Sequence, residues 1–493
     1  MKFYITTAID YLNAPPHIGH ALEKVQADVL ARYHRLRGDD VFFLTGSDEH
    51  GAKIARAAQA AKMEPQKFVD ELVEKFKALK DALNLSPDDF IRTTDKTRHW
   101  PGVEMMWNKL VEAGDIYKKA YKGLYCVGHE SFVTEKDLAQ GKCSDHGAEP
   151  EVIEEENYFF RLSKYGKNIG EMIKNDELRI LPYSRKNEIM SLIRSGLEDV
   201  SFSRPRKDLE WGIPVPGDDS QIIYVWCDAL TNYLSAIGFG LETSDKRQET
   251  SGKNFQKWWP ADVHLIGKDI LRFHAAIWPG MLLSAGLPLP NNIFVHGFVG
   301  VEGKKMSKTL GNVVDPFALV KQYGTDAVRY YLLREIPSHE DGDWGEKKFR
   351  ERYNGDLANG LGNFASRVMT LGATLENLRG CIGPSAVVAK QIEAAKKMVE
   401  VKIAEFKLHE ALAEIWKLIQ FGDGYINKKK PWDIEHEEDK ICVVSDLVVL
   451  LDNVAALLLP FLPETAEKIT KSIIWEGNNL HVKKIEPLFP RLV

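Results

Sequence analysis

The chain has 493 residues, a hydrophobic content of 44%, a charged content of 28% and a formal net charge of −6 at pH 7. This length predicts several globular domains, and the slightly acidic balance excludes a surface that binds nucleic acid over its whole area. Five cysteines do not make a disulfide framework in so long a chain, which predicts a reduced, cytoplasmic compartment.

The first 61 residues alternate between short apolar strands and amphipathic helices. Residues 2–9 and 41–46 read as buried strands, while residues 21–38 and 53–61 have helical spacing of their apolar positions. The start lacks the basic head and apolar core of a secretory signal. Strand–helix alternation predicts a parallel α/β sheet with right-handed crossovers.

The alternation stops in residues 115–210 and returns with three β-prone segments at 221–226, 263–267 and 292–298. From about residue 346 onward no strand is predicted, and long amphipathic stretches indicate a helical bundle. The most apolar segment, 447–463, is interrupted by polar residues and prolines, so we interpret it as a buried bundle helix and expect no membrane span.

The expected fold is therefore a split Rossmann-like parallel sheet of the α/β class with an inserted module, followed by an all-α bundle. The predicted boundaries are 1–114 and 211–298 for the two halves of the sheet domain, 115–210 for the insertion, 299–345 for a connecting region and 346–493 for the bundle.

The segment "PPHIGHALEK" lies between the first predicted strand and the helix that follows it. Helix N-termini at the carboxyl edge of a parallel sheet attract anions, and Gly19 permits close approach to the backbone. His17 and His20 are three residues apart, so both rings can donate hydrogen bonds to one phosphate. The alternative is one surface histidine and one core histidine.

A second cationic segment, "GKKMSKTLGN", follows a strand-like stretch near residue 300. Lys304, Lys305 and Lys308 form an arm suited to a polyphosphate leaving group. The alternative is an ordinary solvated run of surface charge.

The insertion contains two Cys-x2-His pairs, Cys126 with His129 and Cys143 with His146. Two such pairs can make one tetrahedral site for a single structural zinc ion, with all four positions filled by protein. The alternative is a metal-free loop with two ordinary cysteines. A zinc knuckle is the prediction for this inserted module.

Together, "HIGH" and "KMSKT" resemble the paired signatures of class I aminoacyl-tRNA synthetases. The segments "LTGSDEHG", "YVWCDALTNYLSA", "LIGKDILRFHAAIWP" and "FVHGFVGVEGKKMSKT" are similar, in order and interval, to those of methionyl-tRNA synthetases of bacterial type without a C-terminal dimerisation domain. The resemblance runs from residue 3 to about residue 465.

The resemblance implies that ATP, with Mg²⁺, activates L-methionine to methionyl-adenylate, and that the methionyl group then passes to the 3′ end of tRNA(Met), including the initiator tRNA. Such a ligase serves the initiation and elongation of protein synthesis. Its implied catalytic residues are His17, His20, Lys305 and Lys308. The implied ATP-binding residues are His17, Gly19, His20, Gly267, Asp269, Val299, Lys305, Met306, Ser307 and Lys308.

The resemblance also implies a methionine slot with Asp48 facing the ammonium group. Its implied residues are Ala8, Ile9, Tyr11, Asp48, Trp226, Ala229, Leu230, Tyr233, Ile270 and His274. Without the resemblance, Trp226 and Tyr233 read as core aromatics and Asp48 as a turn or cap acid. Leu230 replaces a proline expected from some relatives. Arg204 is a candidate for the pyrophosphate, with a surface arginine as the alternative.

In the bundle, the resemblance implies that Asn363, Arg367 and Trp432 read the CAU anticodon. The alternatives are helix-packing polar residues and a capping aromatic. Residues 299–345 would then hold the KMSKS loop and contact the tRNA stem, and 346–493 would form the anticodon-binding domain. The short segment after the bundle predicts a monomer.

Two other functions are alternatives to a methionyl-tRNA synthetase. A class I synthetase for isoleucine, leucine or valine would need a larger editing insertion than the interval between Asp48 and Trp226 allows, and a cysteine enzyme would bind zinc at the substrate. A non-catalytic RNA-binding protein on a decayed synthetase fold is opposed by the intact His17, His20, Lys308 and Asp48.

Overall fold

The computed structural model describes residues 1–128, 131–133, 138–144, 147–241, 249–306, 311–375, 384–476 and 479–492. The strands are β1 (Lys2–Thr7), β2 (Asp10–Tyr11), β3 (Asp40–Asp48), β4 (Asp89–Arg92), β5 (Ile116–Cys126), β6 (Ser131–Val133), β7 (Leu138–Ala139), β8 (Lys142–Cys143), β9 (Glu151–Phe160), β10 (Arg179–Leu181), β11 (Val200–Ser201), β12 (Ser203–Pro205), β13 (Pro214–Val215), β14 (Asp218–Ile223), β15 (Val263–Gly267), β16 (Asn292–His296), β17 (Val299–Val301), β18 (Lys304–Lys305), β19 (Gly342–Trp344), β20 (Ile473–Glu476) and β21 (Asn479–Val482).

The helices are α1 (Ile18–Leu36), α2 (Ala52–Ala60), α3 (Pro65–Lys77), α4 (Leu79–Ala82), α5 (Trp100–Glu112), α6 (Gly166–Lys174), α7 (Tyr183–Arg194), α8 (Val225–Ser235), α9 (Glu249–Trp258), α10 (Trp278–Ser284), α11 (Pro316–Tyr323), α12 (Thr325–Arg334), α13 (Glu346–Arg352), α14 (Asn363–Ala373), α15 (Ala386–Ala404), α16 (Leu408–Lys429), α17 (Glu437–Leu458) and α18 (Pro463–Ser472). Short 3₁₀ turns cover Leu162–Tyr165 and Lys268–Ile270, and π-helical turns cover Phe273–Ile277 and Tyr353–Gly362.

The chain forms two compact units. The first contains residues 1–16, 34–78 and 86–295, and the second contains residues 17–33, 79–85 and 296–493.

The first unit is built on a seven-stranded sheet in the order β10-β16-β15-β1-β3-β2, with β4 beside β3. In the centre of this sheet Ile5 lies in parallel register with Val263 on one side and Phe43 on the other. Those three apolar residues are buried, as expected for a parallel sheet covered on both faces. The predicted parallel α/β sheet is confirmed.

The residues 221–226 do not join that sheet, so this part of the sequence interpretation is wrong. Gln221 to Ile223 end β14, which pairs antiparallel with β12, and α8 begins at Val225. Local β propensity does not specify the partner strand, and a short apolar run also fits the start of a buried helix. Here residues 221–223 form a strand of another sheet, and α8 follows. The inserted segment also contains the antiparallel sheet β11-β9-β5-β6 and the β7–β8 hairpin.

The second unit is mainly helical beyond residue 346. α15 and α16 are separated at Phe406, which has a left-handed backbone with φ 59°. α17 has the length and mean hydropathy, 2.2, of a membrane span, but 61% of that apolar window is buried inside the fold, where α17 packs on α14, α16 and α18. A buried bundle helix is what the sequence predicts here.

One detail differs from expectation in this unit. Ile473–Glu476 (β20) pairs antiparallel with Asn479–Val482 (β21), so strands do occur after residue 346. The buried side chains of Ile473 and Leu480 favour this pairing. Among the described cysteines, Cys442 in α17 is disulfide-bonded, and Cys126, Cys143 and Cys227 are buried.

Candidate active site

Most of the predicted methionine slot lies in one hydrophobic cluster of the first unit. Ala8, Leu230 and Tyr233 are buried members of that cluster, and a further group of partly buried residues packs against it. This group includes Ile9, Tyr11, Trp226 and Ile270. The sequence-predicted residues from the segment between β1 and β3, from α8 and from the turn after β15 therefore belong to the same core.

A hydrogen-bonded pair forms one wall of this cluster. The Tyr233 hydroxyl lies 2.7 Å from Nε2 of His274, and Nδ1 of His274 lies 3.0 Å from the carbonyl oxygen of Ile270. A carbonyl can only accept, so Nδ1–H donates to Ile270, and Nε2 of the neutral ring accepts from the tyrosine. The two contacts fix the orientation of the His274 ring.

The ring of Trp226 stacks on Phe273, with centroids 3.7 Å apart and planes 6° from parallel. Phe273 is buried and Trp226 is partly buried. Flat aromatic surface of this kind suits a thioether, which packs well against rings. Sequence reasoning did not find Phe273, although it stands beside the predicted His274.

Asp48 ends β3 and lies opposite Tyr11 in the parallel β2–β3 pair. The carboxylate is buried, with 6% of the residue exposed. The backbone approaches β4 closely at Gly46, where an added Cβ would lie 2.3 Å from the carbonyl oxygen of Ile91. Only glycine fits there, and it fixes the path of the strand that delivers Asp48.

Glu49 is anchored by residues that sequence reasoning missed. Both of its carboxylate oxygens accept from the Arg92 guanidinium at 2.8 Å, and the hydroxyls of Ser47 and Thr94 also donate to them. Trp211 Nε1 donates to its carbonyl oxygen at 2.6 Å. Glu49 therefore holds the strand end beside Asp48 rather than facing a ligand.

His50 contacts a second buried carboxylate. Its Nδ1 lies 2.7 Å from Oδ2 of Asp228 in α8, and Oδ1 of Asp228 lies 2.7 Å from Nε2 of His99. Burial raises the pKa of Asp228, but the charge and hydrogen bond of His50 and the hydrogen bond of His99 outweigh it, so the pKa is lowered overall. This network has no local sequence signal, because residues 50, 99 and 228 lie far apart in the chain.

In the second unit, His17 immediately precedes α1 and His20 lies in its first turn, with ring centroids 3.9 Å apart. Nδ1 of His20 accepts from the backbone N–H of His17 at 3.0 Å, and Nδ1 of His17 accepts from Gly19 N–H at 3.1 Å. Burial lowers the pKa of His17 to about 4, and burial and then the charge of His17 place that of His20 well below its usual value. Both rings are therefore neutral at pH 7 and carry their proton on Nε2.

Met306, within the KMSKT sequence, and Val314, which follows it, lie against this helix start. The backbone N–H of Ile18 donates to the carbonyl of Val314 at 3.1 Å, and the Met306 methyl is 3.8 Å from the position of a Cβ on Gly19. That Cβ would also meet the His17 ring at 2.9 Å. Gly19 thus makes room for the His17 ring, and not only for a ligand as the sequence suggested.

Of the remaining predicted nucleotide contacts, Gly267 ends β15 and Asp269 lies in the following 3₁₀ turn of the first unit. Val299 begins β17 and Lys305 belongs to β18 in the second unit. Ser307 and Lys308 lie outside the described residues.

Glu23 in α1 and His296 form a buried ion pair that sequence patterns did not indicate. Nε2 of His296 is 3.0 Å from Glu23 and its Nδ1 is 2.8 Å from the carbonyl of Gly297. Both ring nitrogens face acceptors, so His296 donates from both. Burial raises the pKa of Glu23, but Lys24 and His296 lower it further, which keeps this carboxylate charged.

Arg204 is not the surface arginine of the alternative interpretation. It is 8% exposed, its Nη2 donates to Glu155 at 2.8 Å, and its guanidinium lies 4.3 Å from the centroid of the Tyr125 ring. The pair is a buried ion pair within the first unit.

The predicted anticodon residues share the helical part of the second unit. Asn363 is exposed at the start of α14, and Trp432 is 53% exposed after α16. The guanidinium of Arg367 donates to Asp423 at 3.2 Å and to Asn427 at 2.8 Å. The exposure of Trp432 is at odds with a capping aromatic packed in the bundle.

Two of the four predicted zinc ligands are described, and they share one small cluster. Cys126 and Cys143 are buried with Val133. The turn after Cys143 is closed by the N–H of Gly147, which donates to the Cys143 carbonyl at 2.8 Å, with φ 65° at Gly147. His129 and His146 lie outside the described residues. Among the residues that are described, no group of three or more His, Cys, Asp or Glu side chains could hold a metal ion.

Comparison with known proteins gives one family. A family model described as "tRNA synthetases class I (M)" matches residues 3–146 and 133–369. A methionine–tRNA ligase of Caldanaerobacter subterraneus subsp. tengcongensis is 43% identical over 516 residues, which cover 99% of this chain and 79% of the relative. One of Rickettsia conorii is 40% identical over 501 residues, covering 100% of this chain and 95% of the relative.

Solved structures agree. The Mycobacterium tuberculosis methionyl-tRNA synthetase in complex with methionyl-adenylate superposes with a TM-score of 0.91 and 38% identity, covering 99% of this chain and 100% of that chain. The apo form of the same synthetase gives a TM-score of 0.84 with 35% identity, covering 100% of this chain and 98% of that chain.

Proposed function

The chain belongs to the class I methionyl-tRNA synthetases, and from this premise we propose that it activates L-methionine with ATP and transfers the methionyl group to tRNA(Met), the initiator included. In the first step a methionine carboxylate oxygen attacks the α-phosphorus, and pyrophosphate leaves. In the second, the 2′ hydroxyl of the terminal ribose takes the acyl group, and AMP leaves.

The observation that carries the proposal is the meeting of the two signature segments at the start of α1. Met306, the second residue of the KMSKT segment, lies beside Gly19, and Val314, which follows that segment, accepts a hydrogen bond from the backbone N–H of Ile18. An α-phosphate there would receive Nε2–H donors from two neutral rings and the positive end of the helix dipole. Lys305 and Lys308 are proposed to hold the departing phosphates, and Gly267, Asp269 and Val299 the nucleoside.

Donors of this kind assist phosphoryl transfer by position and charge rather than by covalent chemistry. Because the imidazoles are neutral before ATP arrives, they do not repel the Mg²⁺ that we propose accompanies the nucleotide. When bound with the nucleotide, Mg²⁺ would offset the negative charge of the phosphates.

We propose that Asp48 pairs with the substrate ammonium and that the cluster around Trp226, Tyr233 and His274 receives the side chain. A buried carboxylate is a strong electrostatic partner for an ammonium group, and the apolar walls exclude water from the pair. Leu230, where some relatives have proline, contributes a branched apolar surface to the same wall.

We propose one structural zinc ion held by Cys126, His129, Cys143 and His146. The support is that the two described thiols share one buried cluster and that the Gly147 N–H donates to the carbonyl of Cys143. Metal analysis of the purified chain should find one zinc, which a Cys126→Ser, Cys143→Ser variant should lack.

For tRNA, we propose that exposed Trp432 stacks on an anticodon base while Asn363 and Arg367 contact base edges, with Lys428 to Lys430 on phosphates. Trp432→Ala should then raise KM for tRNA and leave pyrophosphate exchange unchanged. We further propose a cytoplasmic monomer, on the resemblance to the type without a dimerisation domain, and light scattering tests this state.

ATP–pyrophosphate exchange with a panel of amino acids tests the proposed activity. We expect exchange that depends on methionine and that Asp48→Asn abolishes or weakens by about a hundredfold, because the ammonium loses its counter-charge. Exchange driven equally well by leucine or valine, or none with any amino acid, would refute the assignment.

A further inference from the structure

The two halves of the proposed methionine slot come from different segments of the first unit. Asp48 lies at the end of β3, whereas Trp226, Leu230 and Tyr233 lie on α8. An amino acid can be held at both ends only if these two segments keep a fixed separation, since misplacement by about 1 Å can cost orders of magnitude in rate.

Asp228 is the residue that links them. It sits on α8 among the slot residues, it is 1% exposed, and its Oδ2 lies 2.7 Å from Nδ1 of His50, two residues after Asp48. The intervening Glu49 is itself fixed by Arg92, so a restraint on His50 is transmitted to Asp48 along a chain segment with little freedom.

The second carboxylate oxygen of Asp228 is also hydrogen-bonded. This Oδ1 lies 2.7 Å from Nε2 of His99, and Nδ1 of His99 lies 2.8 Å from the hydroxyl oxygen of Ser235 at the end of α8. With both oxygens engaged, the carboxylate cannot rotate without losing one hydrogen bond, which is costly at a fully buried site.

The backbone of His99 is held by hydrogen bonds on both sides. His99 immediately precedes α5, its backbone N–H donates to Asp95 at 2.9 Å, and its carbonyl accepts from Val103 at 3.1 Å. α5 and α8 approach so closely that a Cβ on Gly102 would lie 2.7 Å from the Ser235 Cβ. The chain His99–Asp228–His50 therefore runs from a close-packed helix pair to the end of β3.

We propose that Asp228, supported by His99, is a positioning residue for methionine: it fixes the strand end that carries Asp48 relative to the side-chain wall on α8. This inference rests on the proposed function, because it assumes that Asp48 and α8 contact the same substrate. Asp228 itself contacts His50 and His99, so its effect on catalysis is indirect.

The two histidine nitrogens allow a matched pair of variants at residue 99. In His99→Gln the side-chain amide can occupy the place of Nε2 and still donate to Asp228, whereas in His99→Asn it reaches only the place of Nδ1, beside Ser235. The two variants are similar in polarity and differ in the bond under test. Asp228→Asn is a third variant, which places an amide NH₂ against one of the two imidazoles.

The experiment is methionine-dependent pyrophosphate exchange, with KM for methionine, KM for ATP and kcat measured for each variant. We expect His99→Gln to stay within about twofold of the parent, and His99→Asn and Asp228→Asn to raise KM for methionine about tenfold or more without changing KM for ATP. A methionine KM that is equal in both His99 variants, or an equal rise in both KM values, would overturn the proposal.

Two further outcomes are distinguishable. If the parent chain shows no methionine-dependent exchange, the proposed function fails and this inference fails with it. If the parent is active and Asp228→Asn does not fold, the comparison of His99→Gln with His99→Asn tests the proposal, since each retains a neutral polar side chain at that position. Methionine binding measured by tryptophan fluorescence repeats this comparison without turnover.

Discussion

The hydroxyl of Tyr233 donates a hydrogen bond to Nε2 of His274 across 2.7 Å. Because Nδ1–H of His274 is already donated to Ile270, this tyrosine is what satisfies the second ring nitrogen. The pair gives the proposed side-chain slot a polar wall, which suits the thioether of methionine and disfavours an amino acid with a charged side chain.

Tyr233→Phe should raise KM for methionine about tenfold and leave KM for ATP unchanged. Removal of the hydroxyl takes its hydrogen bond away from the buried Nε2 of His274, at a cost of about 1–3 kcal/mol, and removes one of the contacts that orient the ring. Steady-state pyrophosphate exchange measures both constants. An unchanged methionine KM would show that the pair does not shape the slot.

The histidines before and within the first turn of α1 should tolerate glutamine better than asparagine. Nδ1 of each ring accepts a backbone N–H, so the donor available to a phosphate is Nε2–H. Gln places its amide near the Nε2 position, whereas Asn places it near Nδ1. The rate of adenylate formation should therefore fall less in His17→Gln and His20→Gln than in the asparagine variants, by about tenfold or more. The opposite order would contradict donation from Nε2.

The stability of the chain should depend on pH through His17. Its pKa in the folded protein is about 4, below the unfolded value near 6.5. The folded state thus binds fewer protons than the unfolded state between these values, so His17 contributes stability above about pH 6.5 that is lost as the pH falls towards 4.

His17→Gln removes that proton site. The free energy of unfolding of the parent should therefore fall, relative to this variant, by up to about 2 kcal/mol between pH 7 and pH 4.5. Denaturant titrations at the two pH values measure the difference. A constant gap between parent and variant would mean that His17 is not held neutral.

A buried arginine should dominate the stability of the second unit. The fully buried guanidinium of Arg329 lies 2.8 Å from Asp28 and donates to the carbonyl oxygens of Leu83, Pro460 and Phe461 at 2.8–3.0 Å. Arg329→Met leaves the Asp28 carboxylate and three carbonyls without these donors, and should cost about 3–5 kcal/mol.

Arg329→Lys keeps the charge but not the planar fork, so its loss should be intermediate. Thermal unfolding of the parent, Arg329→Lys and Arg329→Met measures their relative stability. Equal midpoint temperatures would contradict the role assigned to the guanidinium.

Sequence patterns predicted the parallel sheet well, because its strands depend on local signals. Apolar runs at 2–9 and 263–267 can be read from neighbouring residues, and so can the helix that follows the first strand. In the segment 221–226, residues 221–223 do form a strand, but local signals do not show which sheet a strand joins or that α8 begins at Val225. The strands Ile473–Glu476 and Asn479–Val482 follow a long helical pattern that does not predict them.

The supporting network of the site was beyond sequence reasoning for a different reason. Glu49 with Arg92, Asp228 with His99, and Glu23 with His296 join residues that are 43 to 273 positions apart. No periodicity links such residues, and one chain without relatives gives no reason to pair them. Arg204 shows the same limit. Arginine is usually a surface residue, but Arg204 is buried beside Glu155, a partner that sequence patterns do not indicate.

The proposed reaction begins when the methionine carboxylate attacks the α-phosphorus of ATP. The most direct test incubates the purified chain with L-methionine, ATP and Mg²⁺ in the presence of pyrophosphatase and identifies the protein-bound product by mass spectrometry. The account predicts methionyl-adenylate in about one equivalent per chain, and its methionyl group should pass to a tRNA with a CAU anticodon when that tRNA is added. A folded chain that binds both substrates yet yields no adenylate would contradict it.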